Sequence, residues 1–551
     1  MPERVEELTY HTIRARFEWR IPEQFNMGVA CSSAHDPDRT GLIAIGRDGS
    51  KRTLTFGELD QFSNRLANVL AGFGIGRGDR VGVVVPQSLE TGLAHLAIWK
   101  LGAISLPLAD LFGPDALEYR LSDSGAELVI ATPDVVDKLR NAAPELPRLV
   151  TGPQLDRRMK GSSDVFKPAE TAADDPAYLI YTSGTTGPPK GALHAHRSLF
   201  GHLPGFECYY EFADAPPEGR ADLATLPHRF LATQREDVIW SPADWAWIGG
   251  LMDVLVPAWY FGMTVVTVDH DFEPTWAADV MVEHGVTLSF LPPTALKMMR
   301  AAGVSRANDL SLRAVFTGGE PLGEEMLAWG SKHLGAAINE GYGQTECNLV
   351  AGNCSSVWAV RPGSMGRAIP GHDIEIQNEV GTRLVGEIGE ICVRSPDPVA
   401  MLRYWSSPDA TGDKYRDGWL LTGDLGVEDE DGYLWFRSRK DDVIMSMGYR
   451  IGPGEIEESL MGHPAVAMCA VVGVPDEIRG QVPAAYVVVR PGAEITEGLS
   501  TELQDHVRTR LAAHEVPRQI EFVEDLPRTT TGKIMRRVLR EPKTGEINSN
   551  P

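Results

Sequence analysis

No uninterrupted apolar run in this chain approaches the roughly 18 residues that a membrane helix needs. An integral membrane segment is therefore not expected. Basic charge is short as well: 52 Lys and Arg stand against 76 Asp and Glu, for a formal net charge of −24. That balance excludes a general nucleic-acid binder and a protein drawn to anionic membranes. It leaves room for an anionic small ligand, because local clusters decide that. Cysteine is scarce, with six residues (Cys31, Cys208, Cys347, Cys354, Cys392 and Cys469). They are scattered, with no CxxC and no adjoining His cluster, so neither a zinc site nor a disulfide framework is indicated. Reduced thiols and a cytoplasmic location are the expectation. The opening MPERVEELTYH is charged and lacks the apolar core of a signal peptide, so none is expected.

What is present is a large globular chain. At 551 residues it is too long for one core, and at 43% hydrophobic residues it can bury more than one. The first four-fifths alternates strand-like and helix-like stretches. RVGVVVP (80–86) reads as a strand, SLETGLAHLAIWKLG (88–102) as a helix ending on Gly102, and AISLPL (103–108) as the next strand. That is a βαβ unit, and its apolar strands predict a parallel sheet covered on both faces. LVIATP, AYLIYTS, TVVTVD and TLSFLPP read as further buried strands. Beyond about residue 418 the texture turns to hairpins, with a turn at Asp431-Gly432, then to a small α+β arrangement. Two domains are expected, 1–440 and 441–551, with the boundary at Asp441.

Residues 181–191, YTSGTTGPPKG, follow a buried strand with a stretch that can pack very little. It does not fit the GxxxxGK[ST] phosphate loop, since Gly191 follows Lys190 and Pro188-Pro189 precede it. The physics is related all the same. Glycines let backbone approach a ligand, hydroxyls donate hydrogen bonds and Lys190 adds charge, a set that suits a polyphosphate. Taken alone it also reads as a loose turn. NEGYGQTEC (339–347) carries Glu346, a hard oxygen ligand suited to Mg²⁺; alone it also reads as a loop in which Thr345 caps a helix. Thr422-Gly423-Asp424 reads as a turn, or presents Asp424 to a ribose diol. DLPRTTTGKIMRRVLR (525–540) holds five basic residues and no acidic one between 528 and 540. Arg536, Arg537 and Arg540 read as a solvated helix face, whereas Lys533 follows TTTG in a hinged loop from which it can reach a cleft. His194 and His196 alternate without a third ligand, and read as structural or substrate-neighbouring.

Together, YTSGTTGPPKG, GGEP (318–321), YGQTE, TGD and PRTTTGK, in that order, resemble the adenylate-forming superfamily of acyl-CoA synthetases, amino-acid adenylation domains and firefly-type luciferases. The resemblance spans nearly the whole chain. DDVIMSMGYRIGPGEIEESLMGHPAV and PDEIRGQ are most similar to medium-chain acyl-CoA synthetases. It implies an α/β fold, with a large N-terminal domain of βαβ layers and a small, mobile α+β C-terminal domain. It implies ATP, Mg²⁺ and coenzyme A as cofactors, and acyl-AMP followed by acyl-CoA as products.

By that resemblance Thr182, Ser183, Gly184, Thr185, Thr186, Gly187 and Lys190 clamp the β- and γ-phosphates. Gly319, Glu320 and Pro321 flank the adenine and Tyr342 stacks on it; Gln344 is a further cofactor-binding candidate. Thr345 contacts the α-phosphate, Glu346 holds Mg²⁺, and Asp424 with Arg439 takes the ribose. Asp441 is the hinge, Arg450 contacts phosphate, and Gly448 lines the pantetheine tunnel. Lys533 is the catalytic lysine, bridging carboxylate and α-phosphate. The acid is already ionised at neutral pH, with a reference pKa of about 4, so charge repulsion rather than proton transfer is the obstacle. Two unit charges ~4 Å apart at an effective dielectric of ~20 interact by about 4 kcal/mol, or roughly a thousandfold in rate.

The acid is less legible. Trp247, Ile248, Gly249, Phe316, Thr317 and Gly343 are the candidate pocket lining. Acetyl-CoA synthetases carry Trp where this chain has Gly343, so the resemblance implies room for a longer or bulkier acid. Adenylation domains for amino acids carry Asp where Ile248 falls, and an unpaired buried ammonium is costly, so amino acids are disfavoured. Met445 stands where luciferases have Lys, and Ser438 where the hinge motif has Gly. Medium-chain acids lead, with short, branched or aromatic acids behind. Two other readings stay open: a free-standing protein that loads a carrier-protein thiol, and a non-catalytic nucleotide sensor. A homo-oligomer is compatible with either.

Overall fold

The computed structural model describes residues 9–182, 188–211, 236–319, 322–446, 449–476, 479–528 and 534–540, with Tyr449 and Arg450 described by backbone only. Among the described residues no helix is long and apolar enough to cross a membrane. All six cysteines are buried.

The expected βαβ unit is present. Arg80–Val84 and Ile104–Pro107 are parallel strands, with Val81 beside Ser105, joined by the helix Leu89–Lys100. Ser88 caps that helix by accepting from the Thr91 amide. Gly102, just past its end, takes a φ of +69°, a left-handed conformation that a side chain resists. The helix is apolar nearly all round because it is buried nearly all round. Even Lys100 is inside. Its Nζ lies 2.7 Å from Asp60 Oδ1 and Ser63 Oγ, and 2.8 Å from Asn64 Oδ1, so its charge is fully partnered.

Such units build two sheets. One has seven strands in the order 403–404, 190–195, 176–182, 104–107, 80–84, 128–131 and 148–150. The other has nine, in the order 367–368, 347–352, 337–344, 314–318, 288–290, 238–240, 264–268, 40–45 and 51–55. Both are parallel at the centre and antiparallel at an edge. Parallel strands need both faces covered, which is why these runs are apolar throughout.

The chain falls into two compact units. The first comprises 1–375, 392–422 and 431–434; the second comprises 376–391, 423–430 and 435–551. The second contains a small sheet ordered 449–451, 444–446, 480–489 and 466–476, with 519–522 parallel to 480–489. Helices Pro453–Met461 and Leu499–Arg508 pack through Ile456, Leu460, Leu503 and Val507. The fold is thus the layered α/β class with a smaller α+β unit.

Two local expectations are corrected. Thr422-Gly423-Asp424 is not a turn; it lies within the strand Trp419–Glu428, with Gly423 at φ +74°. The basic run near the C-terminus is not merely a solvated face. Arg536 donates to both oxygens of Glu457, at 2.9 and 2.7 Å, and Arg540 donates to Asp442. Burial pushes Glu457 above the ordinary carboxylate range, and the Arg536 guanidinium opposes that push.

Candidate active site

Two stretches of the first unit meet at one tyrosine. Thr182 ends the strand Pro176–Thr182 and Lys190 begins Lys190–Ala195. These strands are antiparallel, with Thr182 beside Lys190 and Tyr181 beside Gly191. The Gly/Thr stretch therefore joins the two strands of a hairpin. Ser183, Gly184, Thr185, Thr186 and Gly187 lie outside the described residues. The short strand Arg403–Tyr404 adds to the outer edge, with Tyr404 beside Ala192. Its ring lies under the Lys190 ammonium, with Nζ 5.4 Å from the ring centroid.

Thr345 and Glu346 form the two-residue tip of a second hairpin, between Ala337–Gln344 and Cys347–Gly352, with Gln344 beside Cys347. Thr345 caps no helix, because a strand follows it. The Glu346 carbonyl accepts from the Met401 amide at 2.8 Å. Its Oε1 accepts from the Tyr404 hydroxyl at 2.5 Å. Both residues are buried. Tyr404 thus touches the cation of one motif and the carboxylate of another. Sequence reasoning missed it: nothing in RYW marks a site, and only long-range strand pairing brings it there.

Glu346 fits a magnesium ligand. Oε1 is fixed by Tyr404, and Oε2 carries no hydrogen bond among the described residues. No group of three or more His, Cys, Asp or Glu side chains gathers among the described residues. An ion held by Glu346 would draw its remaining ligands from phosphate and water, as Mg²⁺ does.

The strand Ala314–Gly318 runs parallel to Ala337–Gln344, setting Phe316 beside Asn339, Thr317 beside Glu340 and Gly318 beside Gly341. Two glycines face each other because the strands carry no room for more: a Cβ on Gly318 would stand 2.8 Å from Gly341 O. Gly319 follows at φ +93°; Glu320 and Pro321 lie outside the described residues. Tyr342 is buried beside Ala351. Gln344 Nε2 donates to Thr422 O at 3.0 Å. Glu340 is buried, and burial pushes its carboxyl up to about 7.

Of the pocket candidates, Phe316 and Gly249 both lie against Phe290. Phe316 stacks on Tyr209 (centroids 4.4 Å apart) and on Phe290 (4.9 Å). A Cβ on Gly249 would meet Phe290 Cε1 at 3.1 Å. Thr317 is fully buried. Trp247 meets Phe112 edge to face at 5.8 Å, and Ile248 begins the helical turn Ile248–Gly250. Gly343 behaves differently from the expectation that it opens space. A Cβ there would stand 2.5 Å from Leu349 N and 2.7 Å from Asn348 Cα. The register shifts at this point and Leu349 takes a φ of +53°, so the opposing strand bulges into the space beside Gly343.

In the second unit Asp424, buried, accepts from Arg439 Nη1 at 2.8 Å. Gly423 N donates to Glu390 Oε1 at 3.0 Å, and Lys440 reaches the other Glu390 oxygen at 3.2 Å. This mesh fixes the Asp424 carboxylate and the guanidinium as one object. Asp441 lies in the turn Lys440–Asp442, 4.0 Å from Arg439 Nη2. The Arg450 backbone pairs with Met445. Gly448 and Lys533 lie outside the described residues.

His194 and His196 are fully buried. The His194 ring stacks on Tyr178 at 4.8 Å and 7°, and burial pushes its pKa down to about 3. His196 Nδ1 accepts from the Met27 amide at 3.2 Å. Both stay neutral.

This arrangement puts the Lys190 ammonium over the ring, and the Glu346 carboxylate on the hydroxyl, of one buried tyrosine. The AMP-binding enzyme family matches residues 30–405, and the AMP-binding enzyme C-terminal domain matches 455–533. The chain belongs to that family, the adenylate-forming enzymes. Within it the protein is a ligase of the acyl-CoA synthetase kind. It is 34% identical to the uncharacterized acyl-CoA ligase YtcI of Bacillus subtilis, over 91% of this chain and 93% of that one. It is 35% identical to human acyl-coenzyme A synthetase ACSM4, mitochondrial, over 95% and 91%. ATP-bound MatB from Rhodopseudomonas palustris superposes with a TM-score of 0.82 at 28% identity, covering 94% of this chain and 98% of that one.

Proposed function

We propose that the protein activates a medium-chain carboxylic acid, or a short, branched or aromatic one, as acyl-AMP and passes the acyl group to coenzyme A. The observation that carries this reading is Tyr404, which ties Lys190 and Glu346 into one site. Lys190 places positive charge where a triphosphate would lie, and Glu346 holds the Mg²⁺ that arrives with it. The Asp424–Arg439 pair takes the ribose hydroxyls, and Lys533 stabilises the charge built up between acid and α-phosphate. The segment from Asp441 onward turns between the two half-reactions, and the enzyme works in the cytoplasm.

The test is acid-dependent pyrophosphate release with and without coenzyme A, across acetate, butyrate, octanoate, a branched acid, benzoate and several amino acids. Sustained turnover only with coenzyme A, best on butyrate or octanoate, is expected. A single burst unaffected by coenzyme A would reassign the acceptor to a carrier protein, and silence with every acid would remove the ligase reading. Lys533→Ala should lower adenylation roughly a thousandfold while sparing thioester formation from supplied acyl-AMP. Equal loss of both steps would strip Lys533 of that role.

A further inference from the structure

Beside the candidate acyl pocket stands a buried polar pair that the reaction does not require. Asp253 lies in the wide π-helical turn Leu251–Leu255, directly after Ile248–Gly250. Such turns shift side chains off the regular helical face and recur at functional sites. The Asp253 carbonyl accepts from the Tyr210 hydroxyl at 3.3 Å, and its Oδ1 accepts from Asn348 Nδ2 at 2.5 Å. Among the described residues, the side-chain hydrogen bond that Asp253 makes is through Oδ1. Its Oδ2 lies 3.7 Å from where a Cβ on Gly249 would stand. Asn348 Oδ1 lies 2.7 Å from where a Cβ on Gly343 would stand. Asp253 and Asn348 are each only 5% exposed.

That side-chain hydrogen bond uses Oδ1 and leaves Oδ2 on the side of Gly249 and Phe290, where a substituent on the acyl group could meet it. Burial also pushes the Asp253 carboxyl well above the ordinary carboxylate range, opposed by the Asn348 hydrogen bond. Protonated, it can donate as well as accept; ionised, it demands a donor or a cation. A plain hydrocarbon chain offers it nothing in either state.

We propose that Asp253, held by Asn348, selects acids whose acyl group carries a hydroxyl or amine remote from the reacting carboxylate. This deepens, and rests on, the acid–CoA ligase reading. Pockets built around a hydrogen bond reject the analogue lacking it far more strongly than apolar pockets reject a missing methylene. A preference of at least about tenfold in kcat/KM for the substituted acid is therefore expected.

The experiment uses the full chain with ATP, Mg²⁺ and coenzyme A. It compares kcat/KM for hexanoate, octanoate and benzoate with their ω-hydroxy, ω-amino, ring-hydroxy and ring-amino derivatives. Wild type should favour a substituted acid. Asp253→Asn should keep a hydroxyl preference and lose an amine preference, which separates the two chemistries. Asp253→Leu should gain on the plain acid and lose on the substituted one. Should that variant fail to fold, Asn348→Leu should lower the substituted-to-plain ratio about tenfold by freeing the carboxyl. Full turnover of plain acids without preference, or an unchanged ratio in the folded variants, would overturn this inference and leave the ligase reading standing. Turnover of no acid at all would overturn both.

Discussion

Tyr404→Phe separates a merely packed tyrosine from one that sets the metal site. The change removes one hydroxyl and keeps the ring under Lys190. What is lost is the 2.5 Å hydrogen bond to Glu346 Oε1, between two buried side chains. Hydrogen bonds to charged groups contribute about 1.5–3 kcal/mol. Loss of a group that orients a metal ligand typically weakens metal binding roughly 10–100-fold, which is about 1.4–2.8 kcal/mol. The two estimates agree because they describe the same event, a carboxylate freed to rotate away from its ion. The assay is pyrophosphate release against Mg²⁺ concentration at saturating ATP and acid. In Tyr404→Phe the Mg²⁺ requirement should rise by that factor, and the maximal rate should recover at high Mg²⁺. The ring's contact with Lys190 survives, so the KM for ATP at saturating Mg²⁺ should move little. An unchanged Mg²⁺ curve, or a loss of rate that Mg²⁺ does not restore, would refute the link between Tyr404, Glu346 and the ion.

Two predictions concern stability. Glu340 titrates at about 7 in the fold against an ordinary 4.5, with burial as the cause. The folded state therefore binds more protons between those values, so stability falls as pH rises through that window and the cost is complete above it. Glu340→Gln should raise stability at pH ~8 by on the order of 3 kcal/mol and do little near pH ~4.5, read by denaturant melts; equal gain at both would deny the titration. Arg536→Ala strands the buried Glu457 and should cost about 3 kcal/mol at neutral pH, discounted because the Arg536 side chain is 25% exposed. The deficit should shrink in acid as Glu457 takes a proton, and a deficit independent of pH would point to lost packing instead.

The parallel-sheet core was legible because burial on both faces writes uninterrupted apolar runs, as in RVGVVVP and AISLPL. Gly102 was legible as a helix stop for the same local reason. The readings that failed were those where a short polar stretch has several local solutions. Thr345 is compatible with a helix cap or a hairpin tip, and only the pairing of Gln344 with Cys347 decides it. Thr422-Gly423-Asp424 suits a turn, yet strand pairing straightens it. Arg536 and Arg540 look solvated in one dimension because their partners, Glu457 and Asp442, are far upstream. Tyr404, Asp253 and Asn348 were invisible for a related reason. Each acquires its meaning from a neighbour 58 to 95 positions away.

The hairpin geometry also constrains how negative charge is met. Both stretches assigned to the nucleotide phosphates, around Ser183–Gly187 and at Thr345-Glu346, connect antiparallel strands. Neither is followed by a helix. A helix N-terminus, the usual anion-binding device of Gly-rich loops, brings a fixed partial positive charge that needs no side chain. Among the described residues a strand, not a helix, follows each stretch, in a chain whose net charge is −24. Under the proposed function the compensation comes from side chains and a metal ion, which would give Lys190, Lys533 and Glu346 their weight. Backbone amides can shape the phosphate cradle, but they cannot replace those charges. Neutralising Lys190 while keeping its length, as in Lys190→Gln, should therefore weaken triphosphate binding more than it would in a loop backed by a helix.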